Sequence, residues 1–356
     1  MIDEILTLIE KHERFFITTH TRPDGDALGS EVAFGRFLDK LGKKAAVINS
    51  DPPPMNMDWL PGLDDALVFD GSIEQRKRVD DADVLFVLDT NARDRLGKLN
   101  GPVLGARGIK ALIDHHTHPE EWFDVTYSRQ TASSTGELIY EIIAAYDPEL
   151  IDAEIATALY AAIMTDTGSF RYSSVTPALH RMTADILERG SISPAPIHIA
   201  VYDTRTTESL RLLGRVLETI TLLYEGQVAY VAITPRMLKE TGASSEDTEG
   251  FVNYALSIEG VKAAILFFET EGGTKMSFRS KGDAHVNDWA RAFGGGGHKN
   301  ASGAYLTKPL EVAIEKVTEA APRYLPLDPP DDGDVELTDE DDAYLSSLLE
   351  MKSQNL

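Results

Sequence analysis

Residues Ile109–His116 read IKALIDHH, and this stretch sets both the architecture and the place to look for chemistry. Ile109 to Ile113 is short, apolar and branched, which reads as a buried strand. Asp114, His115 and His116 therefore fall where that strand ends. A carboxylate and two imidazoles make poor core material, because each needs a partner when buried. They make good ligands for a divalent metal. Alone, the triplet fits a structural or incidental polar cluster equally well. Its meaning depends on whether other strand ends carry ligand-type residues.

Three more do. RFFITTH runs into TRPDGDALGS, giving His20-x-x-x-Asp24-x-Asp26 just past the apolar stretch Phe15–Ile17. ADVLFVLDTN places Asp89 after Val84–Leu88, and the helix-period segment EIATALYAAIMTDTG ends at Asp166 with Gly168 close behind. Each has a plainer reading. Asp24-Gly25-Asp26 is also a turn with Asp26 as a helix N-cap, Asp89 also suits a turn cap, and Asp166 also closes a helix. Four clusters together, three of them after strands of the parallel type, are hard to explain as caps. Open α/β sheets bind ligands outside the carboxyl ends of their strands.

The surrounding pattern supports such a sheet. From Met1 to Gly190 the strand-like runs FFITT, AAVIN, VLFVLD and ALID alternate with helical patterns such as DALGSEVAFGRFLDKLG and TGELIYEIIAAY. That alternation predicts an α/β fold, a mostly parallel sheet flanked by helices, over residues 1–190. Gly29 and Gly35 on the helix after Asp26 fit close packing and fit small surface residues equally well. Residues 191–222 (SISPAPIHIA, then TTESLRLLGRVLETI) read as a linker with a connecting helix, stiffened by Pro194 and Pro196. A smaller C-terminal α/β domain over 223–320 follows from QVAYVAIT, KAAILFFE and TKMSFRS. Residues 321–356, with PPDDGD, DEDD and the apolar patch AYLSSLLEM, read as an acidic tail, peripheral or disordered.

His20, Asp24, Asp26, Asp89, His115 and Asp166 supply four carboxylates and two imidazoles, and the chain has no cysteine. This hard oxygen/nitrogen set suits Mn2+, Mg2+ or Fe2+ better than a structural zinc ion. Six ligands exceed what one open catalytic ion takes and suit two divalent ions, with one carboxylate bridging. Without cations, so many carboxylates would repel one another. Two-metal sites activate water for in-line attack at phosphorus and steady the leaving oxygen, so phosphate-ester hydrolysis is the leading chemistry.

The order His-x-x-x-Asp-x-Asp, strand-Asp, Asp-His-His, Asp-x-Gly resembles the DHH phosphoesterase superfamily. RSKGDAHVNDWARAFGGGGHKNASGA, from Arg279 to Ala304, resembles the glycine-rich segment of the DHH-associated C-terminal domain. Together they resemble the NrnA-type branch, which degrades very short RNAs and dephosphorylates 3′-phosphoadenosine 5′-phosphate. The resemblance implies that the six residues above hold metal, with Mn2+ the leading candidate and Asp89 bridging. It also gives His116 a role at the scissile phosphate and Asp114 a supporting one. A cyclic or linear dinucleotide phosphodiesterase is the alternative. A RecJ-like single-strand exonuclease and a nucleotide sensor without catalysis are weaker ones.

Gly294-Gly295-Gly296-Gly297 precedes His298. Four glycines cost backbone entropy, yet their N–H groups can approach a phosphate or base closely. A simple flexible loop is the plainer reading. By resemblance, the segment holds the nucleotide end of the substrate, with Arg279 and His298 touching phosphate or base. Ser280, Gly295, Gly296, Gly297 and Ala301 would bind substrate or shape the loop. Arg95, near the end of the Asp89 strand, is a further candidate for phosphate.

The formal charge is −24, and Leu325–Leu356 contributes ten acidic residues and one lysine, leaving the body at −15. Proteins that track long nucleic acids show a basic stripe. This chain would repel polyanions at long range, which argues for short RNA or nucleotide substrates and against a groove for long strands. General solubility explains the charge as well. The acidic N-terminus and the absence of a long apolar run predict a cytoplasmic protein without a membrane span. A homodimer is the default assembly.

Overall fold

The computed structural model describes residues 2–117 and 119–328. Two compact units emerge among the described residues: one runs through Leu210 and includes Ser244–Asp247, the other comprises Arg211–Ala243 and the described chain from Thr248 to Asp328. The first unit runs α1 (Ile2–Lys11), β1 (Arg14–Thr18), α2 (Gly25–Lys40), β2 (Lys44–Asn49), β3 (Leu67–Val68), α3 (Ile73–Asp80) and β4 (Val84–Leu88). It continues through α4 (Asn100–Gly105), β5 (Ile109–Asp114), β6 (Val125–Ser128), α5 (Thr135–Tyr146), α6 (Ala153–Asp166), α7 (Pro177–Gly190) and α8 (Pro194–Tyr202).

Its sheet has the order β3-β2-β1-β4-β5-β6, with every neighbouring pair parallel. Parallel strands are buried on both faces, which is why their sequences read as unbroken apolar runs. In β1, Phe15 and Ile17 join one core cluster while Phe16 joins another. In β4, Val84, Phe86 and Leu88 face the first cluster, and Leu85 and Val87 face the second. The central helix is α2, buried along most of its length against α6. A Cβ on Gly29 would lie 2.5 Å from the Ala158 carbonyl oxygen, so this crossing requires glycine. Gly35 is less confined, with Val47 Cγ2 at 3.4 Å.

The stretch expected as a linker is itself structured. Ile197 and Val201 of α8 are buried in the core of the first unit, and the boundary between units falls inside α9 (Thr207–Leu217). The second unit adds β7 (Thr221–Leu223), β8 (Val228–Ile233), α10 (Pro235–Thr241), α11 (Val252–Leu256), β9 (Ala263–Thr270) and β10 (Gly273–Ser280). It ends with α12 (Asn287–Arg291), β11 (Gly296–His298), β12 (Ala301–Leu306) and α13 (Leu310–Ala320). The strand order is β11-β12-β10-β9-β8-β7, antiparallel except for β8–β9. This unit extends past the expected limit at 320. Ala321 and Leu325 are buried in its core, and Asp328 pairs with Lys262 at 2.7 Å. The rest of the acidic tail, with its apolar patch, lies outside the described residues. Among the described residues, no helix is long and apolar enough to cross a membrane.

Candidate metal centre

β1, β4 and β5 run in one direction and end along one edge of the sheet, with β1 and β4 adjacent where the strand order reverses. A crevice opens at such a reversal, because the connections on either side leave in opposite directions. His20 follows β1 by two residues, Asp89 follows β4 directly, and His115 follows β5 directly. Helices bring the remainder. Asp166 is the last residue of α6, and Asp26 lies in the first turn of α2. Asp24, not Asp26, caps α2: its Oδ1 accepts the N–H groups of Asp26 and Ala27, both at 3.1 Å. Asp26 is thereby free of capping and is buried.

The six expected ligands form two trios, His20–Asp24–Asp89 and Asp26–His115–Asp166, each within 4.8 Å, and a third group, Asp89–His115–His116, overlaps both. Asp89 reaches both. Its Oδ2 lies 3.3 Å from His20 Nε2 and its Oδ1 lies 3.5 Å from His115 Nε2. His115 Nε2 is also 3.6 Å from Asp26 Oδ2 and 3.4 Å from Asp166 Oδ2. Asp89 holds this position with φ at +58°, a left-handed conformation costly for a residue with a side chain. All six residues expected from the sequence converge.

The ring tautomers fit cations. His20 Nδ1 meets the Thr21 carbonyl at 2.9 Å, and His115 Nδ1 meets the Ala132 carbonyl at 3.3 Å. A carbonyl oxygen only accepts, so each Nδ1 carries the proton and each Nε2 presents a lone pair. Those lone pairs face carboxylate oxygens, and the buried His20 Nε2 makes no hydrogen bond. Such an arrangement is repulsive until a proton or a metal cation lies between, and a carbonyl behind Nδ1 is how metal-bound imidazoles are commonly oriented.

Charge is distributed unequally. Burial, reinforced by Asp89, Asp166 and Asp24, pushes Asp26 well above the ordinary carboxyl range. Burial likewise pushes Asp166 up to about 6, with Asp89 and Asp24 adding to it and His115 opposing. Burial would raise Asp89 too, but His20, His116 and His115 around it hold it far below the ordinary range. Asp89 is thus the constant anion, whereas burial favours the protonated form of Asp26 and moves Asp166 toward it.

His116 is set apart. Its Nδ1 contacts Asp114 Oδ1 at 2.7 Å, which leaves Nε2 as its outward nitrogen. Burial disfavours its charge, yet the Asp114 contact and the Asp89 charge raise it to about 9. Asp114 is fully buried, and its other oxygen accepts from Asn91 Nδ2 at 2.8 Å. Asn91 was not foreseen from the sequence. Neither were Thr135 and Gly136, whose N–H groups donate to Asp26 at 2.7 and 2.9 Å. A Ser134-x-x-Glu137 capping pattern opens α5: Ser134 Oγ accepts from the Glu137 N–H, and Glu137 accepts from the Ser133 N–H. Such a pattern does not reveal where that helix end points. Arg95 sits in a 3-10 turn (Arg93–Leu99) whose Arg95 carbonyl accepts the Thr21 N–H at 2.7 Å, and its charge bears on His116.

In the second unit, register aligns three expected residues. Arg279 pairs with Ala301, and Ala301 pairs with His298 on its other side, so all three share one row across β10, β12 and β11. The glycine run is not the open loop of the plainer reading. Gly294 and Gly295 donate to Arg291 and Ala290 carbonyls and close α12, while Gly296–His298 forms a strand. Gly295 abuts the Gly303 carbonyl and Gly297 adopts φ +137°, but Gly296 has open space where a side chain would be. Ser280 is buried, and its hydroxyl accepts from Asn300 Nδ2 at 3.0 Å, shaping the hairpin turn.

Known proteins resemble this chain along most of its length. The N-terminal domain of the DHH family matches residues 14–163, and the DHHA1 domain matches residues 225–325. The Thermus thermophilus bifunctional oligoribonuclease and PAP phosphatase NrnA is 30% identical, over 90% of this chain and 92% of that one. Its Bacillus subtilis counterpart is 26% identical over 86% and 93%. The crystal structure of an exopolyphosphatase-related protein from Bacteroides fragilis superposes with a TM-score of 0.86 at 34% identity, covering 92% of this chain and 96% of that one. With both domains matched and a relative 30% identical over nearly its whole length, this chain belongs to the DHH family, in its NrnA-type branch with a DHHA1 domain.

Proposed function

We propose that this protein is a phosphoester hydrolase that uses two divalent cations, Mn2+ foremost, to cleave short oligoribonucleotides to mononucleotides and 3′-phosphoadenosine 5′-phosphate to AMP and phosphate. The single observation that supports it most is the pair of ligand trios joined through Asp89. The similarity to NrnA proteins named for both activities supports the substrate class. When bound, the cations supply an activated water and neutralise charge at phosphorus.

The chain's own residues do the rest. His20, Asp24 and Asp89 would hold one cation, and Asp26, His115 and Asp166 would hold the other, with Asp89 within reach of both. His116, kept protonated by Asp114, turns its Nε2–H toward the phosphate. There it stabilises the added negative charge and gives its proton to the leaving oxygen as the P–O bond breaks. Asp114 orients that ring, and Asn91 orients Asp114. In the second unit, Arg279 and His298 bind the nucleotide from their shared row. Gly296 offers the open backbone, while Gly295, Gly297, Ser280 and Ala301 shape the hairpin.

The test is one comparison in Mn2+ of 3′-phosphoadenosine 5′-phosphate, a linear dinucleotide, a cyclic dinucleotide and a 24-mer. Release of AMP and mononucleotides from the first two is expected. Preference for the cyclic substrate would replace this reading with a cyclic-dinucleotide phosphodiesterase. Absence of any metal-dependent hydrolysis would overturn it.

A further inference from the structure

Thr135 opens α5, and its side chain is fully buried. It donates to a carboxylate of each trio: its N–H to Asp26 Oδ2 at 2.7 Å and its hydroxyl to Asp89 Oδ1 at 2.9 Å. The first bond belongs to the backbone and would survive most substitutions. The second exists only with a hydroxyl at this position. Asp89 must keep one oxygen toward His20 and the other toward His115, 3.3 and 3.5 Å away. The terminal torsion of an aspartate is soft, with broad preferences, so that orientation needs an outside restraint. The branched Cβ of threonine restricts χ1 to two rotamers in a helix, and burial with the bond to Asp89 selects one here. Its backbone is anchored by the Ser134 cap and by the Asp26 bonds. The hydroxyl is thus aimed from a rigid base.

We propose that Thr135 is a positioning residue that couples the two cation sites, locking the Asp89 carboxylate in the rotation that serves both trios. This rests on the two-cation reading above. Both cations load together because one residue holds an anion of each trio in register. Without the hydroxyl, Asp89 turns to satisfy whichever cation arrives first.

The full chain would be titrated with Mn2+ by calorimetry and by electron paramagnetic resonance, as wild type, Thr135→Val and Thr135→Ser. The wild type is expected to bind two Mn2+ with a spin-coupled signal. Thr135→Val keeps shape and the Asp26 bond, and should bind the later ion about 10–100-fold more weakly, as loss of an outer hydrogen bond does. It should also lose spin coupling at stoichiometric Mn2+, and Thr135→Ser should recover both. Wild-type affinities and coupling in Thr135→Val would overturn the inference, as would equal loss in Thr135→Ser, which signals sterics. Should Thr135→Val fail to fold by circular dichroism, Thr135→Ala carries the same comparison. Two coupled Mn2+ in wild type would uphold the two-cation reading whatever the variants do, and fewer than two would end both.

Discussion

Asp89 meets three requirements in one side chain: a left-handed backbone, full burial and a carboxylate shared between two histidine-centred trios. Removing it should therefore cost more than any neighbour. Asp89→Ala is expected to reduce turnover beyond the roughly 10–100-fold typical of an outer-shell change and to eliminate spin coupling between bound Mn2+. A near-normal rate would contradict a shared carboxylate. His116 makes a second prediction. Its folded value is raised from 6.5 to about 9, so the stabilisation from its charged form is full below about 6.5 and is lost as pH rises through 9. Activity that depends on its proton should fall along the same alkaline limb, displaced downward by bound cations. Asp114→Asn removes the anion that holds the proton, and should move that limb to lower pH in kcat/KM profiles at saturating Mn2+. An unmoved limb would separate His116 from the proton transfer.

At the scale of elements, two helix placements assemble the site. The α2–α6 crossing brings Asp24 and Asp26 toward Asp166, and it depends on Gly29, where a Cβ would lie 2.5 Å from the Ala158 carbonyl oxygen and 2.9 Å from Ala162 Cβ. Gly29→Ala should destabilise the protein by about 1–3 kcal/mol, the usual cost of overpacking, and weaken Mn2+ binding because the helices must separate. Gly101→Ala is the control: it lies in α4 with open space around it, and should be neutral or stabilising by up to about 1 kcal/mol. Equal denaturation midpoints for the two variants would refute the close crossing. The other placement, α5, sends its first N–H groups into Asp26. A helix N-terminus favours an anion, which offsets part of what burial does to that carboxylate.

For the whole molecule, charge is the governing quantity. With −24 on the chain, binding that gathers many phosphate contacts is opposed at long range, while a few local contacts suffice for a short ligand. Turnover per end should be faster on two- to five-residue RNAs than on a 24-mer, and the short substrates should show the shallower salt dependence. A rate that climbs with length would refute this.

Local order made much of this protein legible. Apolar runs ending in polar ligands, as in IKALIDHH and VLFVLD, mark buried parallel strands and the sheet edge where they finish, because period and burial are written residue by residue. His20, Asp89 and His115 could be read in that way, Asp24 and Asp26 from the turn that follows the first strand, and Asp166 from the end of a helix-period run. What could not be read involves partners distant in the chain. The two-residue β3 and the glycine-interrupted β12 carry too little pattern to stand out. Asn91 behind Asp114, Thr135 between Asp26 and Asp89, and the row of Arg279, Ala301 and His298 depend on register and helix direction. Asp24 rather than Asp26 became the cap for the same reason: either aspartate suits a helix start, and only packing of α2 against α6 turns one of them inward. Ligand chemistry is a property of residues in sequence, whereas the bonds that aim those ligands arise only when separate elements pack.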